Sequence, residues 1–156
     1  MYLDLTPSSN LFYGLIGKGY KRLLINATPD TAMITFSGSG IVQTGSNYVW
    51  VTSGSTISYS VSATGYTAVT GSVTVTDNQT IDVALEILMV TLTISPTPNT
   101  ATVVLTADGY TQSGNAITVP YGTTVAYTVS ATGYTTVTDS VVVTSTQTVE
   151  IELEPA

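Results

Sequence analysis

Hydrophobic and polar residues alternate along most of the chain with the period of two that is typical of β-strands. Between Ile57 and Ala63, for example, Ile, Tyr, Val and Ala occupy every second position and serines fill the positions between them. The stretch from Val125 to Ala131 alternates in the same way. Each such stretch is expected to form a strand with one face toward a core and the other toward water.

The chain contains two copies of one sequence pattern. Residues 61–86 and 129–154 have the same length, begin with the identical residues VSATGY and end with the same Leu-Glu pair. Such a repeat determines the architecture, because each copy is expected to form the same structural unit. Short alternating segments separated by turns are typical of a small β-sandwich. We therefore predict an all-β fold of two tandem Ig-like β-sandwich modules, at 22–88 and 89–156, preceded by an N-terminal anchoring arm at 1–21.

The two copies differ most in one loop. It is predicted at 37–47 in the first module and at 107–115 in the second, and the first version is longer. The strand that follows is predicted at 48–52 and at 116–120. Loops that vary on a shared scaffold often carry binding specificity. Neutral variation at a turn is the alternative interpretation, and the sequence leaves both open.

The junction between the modules lacks the glycine-rich polar composition of a flexible linker. Instead, a hydrophobic run joins the last strand of the first module to the first strand of the second. We predict that burial of Leu88 and Met89 fixes the two modules end to end. The predicted junction residues are Ile87, Leu88, Met89 and Val90.

The N-terminal arm matches neither repeat. Its apolar stretch LFYGLI is too short and too close to glycines to form a stable isolated helix, and it is not expected to stay solvated in a monomer. The arm either packs against the first module or docks on a partner. For the second interpretation, the candidate partner-binding residues are Leu3, Leu5, Leu11, Phe12, Tyr13, Leu15, Ile16, Lys18, Lys21 and Arg22.

The residue inventory argues against several classes of function. Ten carboxylates stand against three Lys and Arg residues, for a formal net charge of −7, whereas a nucleic-acid-binding surface needs the opposite sign. The chain has no His and no Cys, so it lacks the imidazole and thiolate groups that serve most nucleophilic and metal sites. We predict no enzymatic activity, no cofactor, no metal site and no nucleic acid partner.

Targeting signals are also weak. No apolar stretch approaches the ~20 residues of a membrane-spanning helix. The N-terminus has an apolar run followed by Lys18, Lys21 and Arg22, which is the reverse of the order in a secretory signal. We therefore expect a chain that is made in the cytosol, without a membrane span and without export by the usual route.

Trp50 is the one tryptophan of the chain, and Thr118 stands at its place in the second copy. Val49 and Val51 are expected to face the core, so alternation directs Trp50 to the opposite side of its strand. We predict that Trp50 is exposed and name it as a candidate ligand contact.

The repeat resembles the PEGA-like repeat family. The similarity is carried by YSVSATGY at 59–66 and YTVSATGY at 127–134, and it extends over about 22–154 in two copies. Members of that family are small Ig-like or transthyretin-like β-sandwich modules of bacterial surface proteins and phage structural proteins. The resemblance implies a fold and a role in display or adhesion, not a reaction.

These features lead to two functional hypotheses. The first is a bacteriophage virion component, either a capsid decoration protein or a short head or tail fibre, which assembles in the host cytoplasm and binds other virion structural proteins through the arm. The alternative is an adhesin-type or carbohydrate-binding module at the bacterial cell surface, with Trp50 and the loop at 37–47 as sugar contacts. A host-surface glycan or protein is a further candidate partner. So is a second copy of the chain, since weakly charged edge strands permit pairing.

Overall fold

The computed structural model describes residues 19–156. Within that range the chain is all-β, with thirteen strands and no helix, as the alternating pattern predicts. The predicted partner-binding residues from Leu3 to Lys18 lie outside the described residues. The chain divides into two compact units, of which the first ends at Glu86 and the second begins at Ile87. This division lies two residues before the predicted boundary.

The first unit has seven strands in two sheets. The strands are β1 (Tyr20–Thr28), β2 (Met33–Gly38), β3 (Ile41–Thr44), β4 (Tyr48–Thr52), β5 (Ser55–Ser62), β6 (Val69–Val75) and β7 (Gln79–Ala84). One sheet has the order β3-β4-β1-β7 and the other the order β2-β5-β6. Neighbouring strands are antiparallel apart from the parallel pair β1 and β7. A hairpin cannot join parallel strands, and here the rest of the unit makes that connection.

The second unit has six strands in two sheets. The strands are β8 (Met89–Thr97), β9 (Thr102–Thr106), β10 (Ala116–Pro120), β11 (Thr123–Ser130), β12 (Val137–Val143) and β13 (Gln147–Glu152). The sheet orders are β10-β8-β13 and β12-β11-β9. The first and last strands, β8 and β13, are again a parallel pair.

Each strand of the second unit has a counterpart in the first. Strands β8 to β13 take the positions of β1, β2, β4, β5, β6 and β7, with the same neighbours. Among the described strands, β3 alone has no counterpart. The prediction of a loop at 37–47 is therefore wrong for Ile41–Thr44, which pair with β4. The alternation within β3 is only four residues long, and the glycines and serines on both sides of it obscure the signal.

Each unit buries its own core between its two sheets. Leu23 of β1 and Ile57 of β5 come from opposite sheets of the first unit and are fully buried in one cluster. Leu92 and Val125 take the same places in the second unit. A fully buried aliphatic side chain contributes roughly 1.5–3 kcal/mol relative to an exposed one. The residues between these positions face outward. Every second residue of a strand therefore belongs to the core, which explains the period of two in the sequence.

Two sequence predictions about the ends of the units are corrected by the structure. Strand β1 begins at Tyr20, so Lys21 belongs to the first unit and not to the arm. Leu88 and Met89 are 39% and 47% exposed, so the prediction that they are buried is wrong. Val90 is the first residue of β8 that points into the core of the second unit. Met89 therefore points to the outer face of that strand, and Leu88 precedes it; Ile87 is exposed as well.

Candidate interaction surface

The outer face of the four-stranded sheet of the first unit is positioned by β1 and β4. Leu23 and Val49 point into the core, so the residues between the inward positions point outward. The antiparallel register places Arg22 opposite Trp50 and Leu24 opposite Tyr48. Side chains at such opposite positions lie side by side on one face of a sheet.

This face of the first unit consists of large side chains, and we call it the bulky face. Its residues are Tyr20, Arg22, Leu24, Tyr48 and Trp50. The first four are half-buried and Trp50 is only 5% exposed. The prediction of an exposed Trp50 is therefore wrong. Alternation gives the direction in which a side chain points but not its exposure to water. On a face of large residues, an outward side chain can be buried by its neighbours. An indole this deeply buried offers almost no surface for stacking on a sugar.

The equivalent face of the second unit has small side chains at four of the five places, and Met89 takes the place of Tyr20. At the places of Arg22, Leu24, Tyr48 and Trp50 it has Thr91, Thr93, Ala116 and Thr118. The hydroxyl oxygens of Thr91 and Thr118 lie 2.8 Å apart and share a hydrogen bond. Because the same strand arrangement forms with threonines and an alanine at these four positions, the fold itself does not require large residues there. The bulky face is a property of the first unit alone.

Charge is also distributed unequally. All three cations of the chain, Lys18, Lys21 and Arg22, lie within five residues of one another. The Lys21 ammonium lies 3.8 Å from the Asp77 carboxylate, with both side chains accessible to water, so this pair contributes little to stability. The Arg22 backbone N–H donates to the Asn78 side-chain oxygen at 2.8 Å. The second unit has five carboxylates and no cation.

The structure separates the two predicted partner-binding cations that it describes. Arg22 lies on the bulky face, opposite Trp50. Lys21, as the next residue of the same strand, points to the other side of the sheet. The signal for the bulky face was present in the sequence, because Tyr20, Arg22 and Leu24 alternate. Sequence reasoning missed it because the predicted boundary of the arm divided this set.

Residues 19–156 contain no group of three or more acidic side chains that could hold a metal ion. Burial raises the pKa of the Tyr127 hydroxyl, and the Asp139 carboxylate raises it further. A raised pKa keeps this phenol neutral, so it is not activated as a base or nucleophile.

Nowhere in residues 19–156 is there a helix with the length and apolar character needed to cross a membrane.

Comparisons with known proteins give likenesses to solved structures alone. No protein-family model matches the chain, and no curated protein matches it. Among solved structures, the chain is similar to the Bacillus anthracis TIE protein, with 12% identity and a TM-score of 0.42 over 87% of this chain and 33% of that chain. It is also similar to a streptococcal ancillary pilin, with 15% identity and a TM-score of 0.32 over 88% of this chain and 62% of that one. The chain thus spans less than two thirds of the length of either protein.

Proposed function

We propose that the chain is a non-enzymatic structural protein that is displayed on the surface of a particle or cell and attached through its first unit. The observation that carries this proposal is the unequal construction of two units with one fold. The first has the bulky face, whereas the second has three threonines and an alanine at the places of Arg22, Leu24, Trp50 and Tyr48. Since the fold forms without those large residues, an attachment role for the first unit accounts for their presence.

The attachment surface combines the N-terminal arm with the bulky face. The arm leads directly into β1, which lies inside the four-stranded sheet. Tyr20, Arg22, Leu24 and Tyr48 would extend the contact, while Trp50 is too deeply buried to add surface to it. Tyrosine and arginine are enriched in protein interfaces. Arg22 on this face suits a partner protein whose contact region combines apolar residues with carboxylates.

The second unit has the character of a displayed module. Its outward positions are mainly threonine and serine, and its charged residues are all carboxylates. A surface with one sign of charge stays soluble and resists association with copies of itself. This composition fits a module that extends into solvent while the first unit makes the attachment.

We propose a bacteriophage virion component as the first candidate, either a capsid decoration protein or a short head or tail fibre. Its support is the separate arm that precedes a charge-poor repeat, together with the resemblance to PEGA-like modules of phage structural proteins. The same resemblance supports a bacterial surface protein of the adhesin type as the second candidate. The sugar-binding alternative loses its main support, because Trp50 is buried.

Location tests this proposal. An antibody raised against residues 87–156 is applied to intact virions and to intact cells from the native source, and labelling is viewed by electron microscopy. Labelled virions support the decoration or fibre role, and labelled cells support the bacterial surface role. If neither is labelled and the protein is recovered entirely from the soluble fraction, the display role is wrong.

A further inference from the structure

The two units differ in the hydrogen bonding of one equivalent edge strand. Strand β2 lies at the edge of one sheet of the first unit, and β9 lies at the same edge in the second unit. An edge strand presents unpaired backbone N–H and C=O groups, which are a template for pairing with another chain. Whether these groups already have hydrogen-bond partners therefore decides where another strand can pair.

The edge of β9 is closed by one side chain. The Leu105 backbone N–H donates to the Gln112 side-chain oxygen at 2.7 Å. The Gln112 amide nitrogen donates to the Val103 carbonyl at 2.7 Å and to the Gly114 carbonyl. The side-chain amide thus takes the place of a peptide group from a neighbouring strand. A partner strand cannot add at this point without displacing it.

The edge of β2 lacks this closure. Ile34 and Phe36 pair with β5 in the register in which Val103 and Leu105 pair with β11, so the Ile34 carbonyl and the Phe36 N–H point away from their sheet. No hydrogen bond within residues 19–156 reaches either group. Gln43 matches Gln112 in sequence, but it lies in β3, which pairs with β4 instead.

The region around β2 also lacks charge. No Asp, Glu, Lys, Arg or His occurs from Thr31 to Thr76, a range that includes the whole sheet of β2, β5 and β6. Charged residues are a common protection of edge strands against pairing, and β2 has none. The corresponding sheet of the second unit has Asp139 on β12, and Asp108 follows β9 closely.

We propose that β2 pairs antiparallel with β2 of a second copy of this chain, about a two-fold axis at Thr35. Ile34 of each copy then lies opposite the partner's Phe36, and each such pair exchanges both backbone hydrogen bonds. The two sheets become one continuous sheet. Met33, which is 68% exposed, lies opposite the partner's Ser37 and loses part of its exposed surface.

A second copy fits this edge for reasons of symmetry and charge. A two-fold interface brings the same surface patch of both subunits together, so any charge on it would meet its like. The chain has a formal net charge of −7, yet this edge and its sheet are neutral and meet a copy of themselves without repulsion. The hydrogen-bonding groups that remain open on β2 are those that an extended backbone provides.

Sedimentation equilibrium of the full chain over a range of concentrations tests the pairing. We expect a monomer–dimer equilibrium that is lost in Thr35→Lys, because the two introduced cations lie directly opposite each other. The matched control is Val104→Lys, at the equivalent exposed position of β9, which should leave the dimer intact. A monomer at all concentrations would overturn the proposal. A dimer that survives Thr35→Lys, or that is lost equally in Val104→Lys, would also overturn it.

Cross-linking tests the register. The chain has no cysteine, so Thr35→Cys introduces a single thiol in each copy. Residues at Thr35 form a non-hydrogen-bonded pair with Cα atoms ~4.5 Å apart, within the range that a disulfide spans. Mild oxidation should convert most of Thr35→Cys to a disulfide-linked dimer and leave Val104→Cys monomeric. Equal cross-linking of the two variants would contradict the proposed register.

Discussion

At the scale of single residues, the Ala-Thr-Gly-Tyr turn shows a structural reason for the identical sequence of the two copies at this point. Gly65 and Gly133 have φ values of 81° and 83°, in the left-handed region that favours glycine. The Tyr134 backbone N–H donates to the Ala131 carbonyl across this turn at 3.1 Å. A Cβ placed on Gly133 meets no atom within 4 Å, so a substitution there strains the backbone without a steric clash.

We expect Gly133→Ala to lower the free energy of unfolding of the second unit by about 1 kcal/mol, the approximate strain of a left-handed residue that has a Cβ. Gly133→Asn is the matched control and should lower it less, since asparagine tolerates this conformation. Calorimetric unfolding of the two variants gives the comparison. Equal losses for alanine and asparagine would be inconsistent with backbone strain as the cause.

Tyr127 makes the stability of the second unit depend on alkaline pH. Burial, and after it the Asp139 carboxylate, raise its pKa in the folded state, whereas an unfolded tyrosine titrates near about pH 10. The folded state therefore holds this proton more tightly. The resulting stabilisation is complete below the unfolded pKa and is lost as the pH rises through the folded pKa.

As the pH is raised from about 9 to about 11, we expect the free energy of unfolding to fall less in Tyr127→Phe than in the unmodified chain. Asp139→Asn should also reduce the pH dependence, because the carboxylate is the second cause of the raised pKa. Urea denaturation at the two pH values measures both effects. An unchanged pH dependence in Tyr127→Phe would show that other tyrosines are responsible.

At the scale of strands, the edges distinguish the two units more than the cores do. The Gln112 amide completes the hydrogen bonds of β9, whereas β3 extends the opposite sheet of the first unit and leaves β2 open. From the start of β2 to the start of β4, the first unit has one residue more than the second unit has from the start of β9 to the start of β10.

We expect Gln112→Ala to lower the free energy of unfolding of the second unit by about 1–3 kcal/mol, because partly buried backbone groups lose their partners. Gln43→Ala in β3 is the matched control and should have a smaller effect, since its side chain closes no strand edge. Thermal unfolding followed by circular dichroism gives both values. If the two losses were equal, the edge-closing role of Gln112 would be wrong.

Strands were predictable from sequence where alternation was long and flanking turns were clear. The strands predicted at 48–52 and 116–120 are confirmed as β4 and β10. Strand β3 was missed because its alternation is short, and the closure of β9 by Gln112 was missed because it depends on where a loop returns in space. The prediction that Trp50 is exposed was wrong for a related reason. The exposure of a side chain depends on its neighbours on adjacent strands, and the sequence pattern of one strand does not contain them.

At the scale of the whole molecule, one fold is used twice and the differences lie mainly in the first unit. The bulky face, β3 and the open edge of β2 all belong to it, while the second unit has its own complete core. The sequence predicted the all-β fold because alternation and repetition agree. The anchoring role of the arm, of Lys21 and of Arg22 stays a prediction, because the sequence does not specify what binds them.

We expect residues 87–156 to fold on their own, since the buried residues of that core all come from this unit. A domain of this size is marginally stable, so its melting temperature should be modest but its unfolding cooperative. Far-UV circular dichroism during heating measures this. A fragment that shows no strand signal at room temperature would mean that the second unit depends on the first.

The most direct test of attachment through the first unit exchanges the outward residues of the two units. The double variant Arg22→Thr with Leu24→Thr gives β1 the threonines of β8, and the control variant Thr91→Arg with Thr93→Leu makes the reverse change. The measurement is the fraction of each protein that cosediments with the virion or cell surface that carries the unmodified chain. We expect the first variant to remain folded and lose attachment while the control keeps it; full attachment of the first variant, or equal loss in both, would contradict the account.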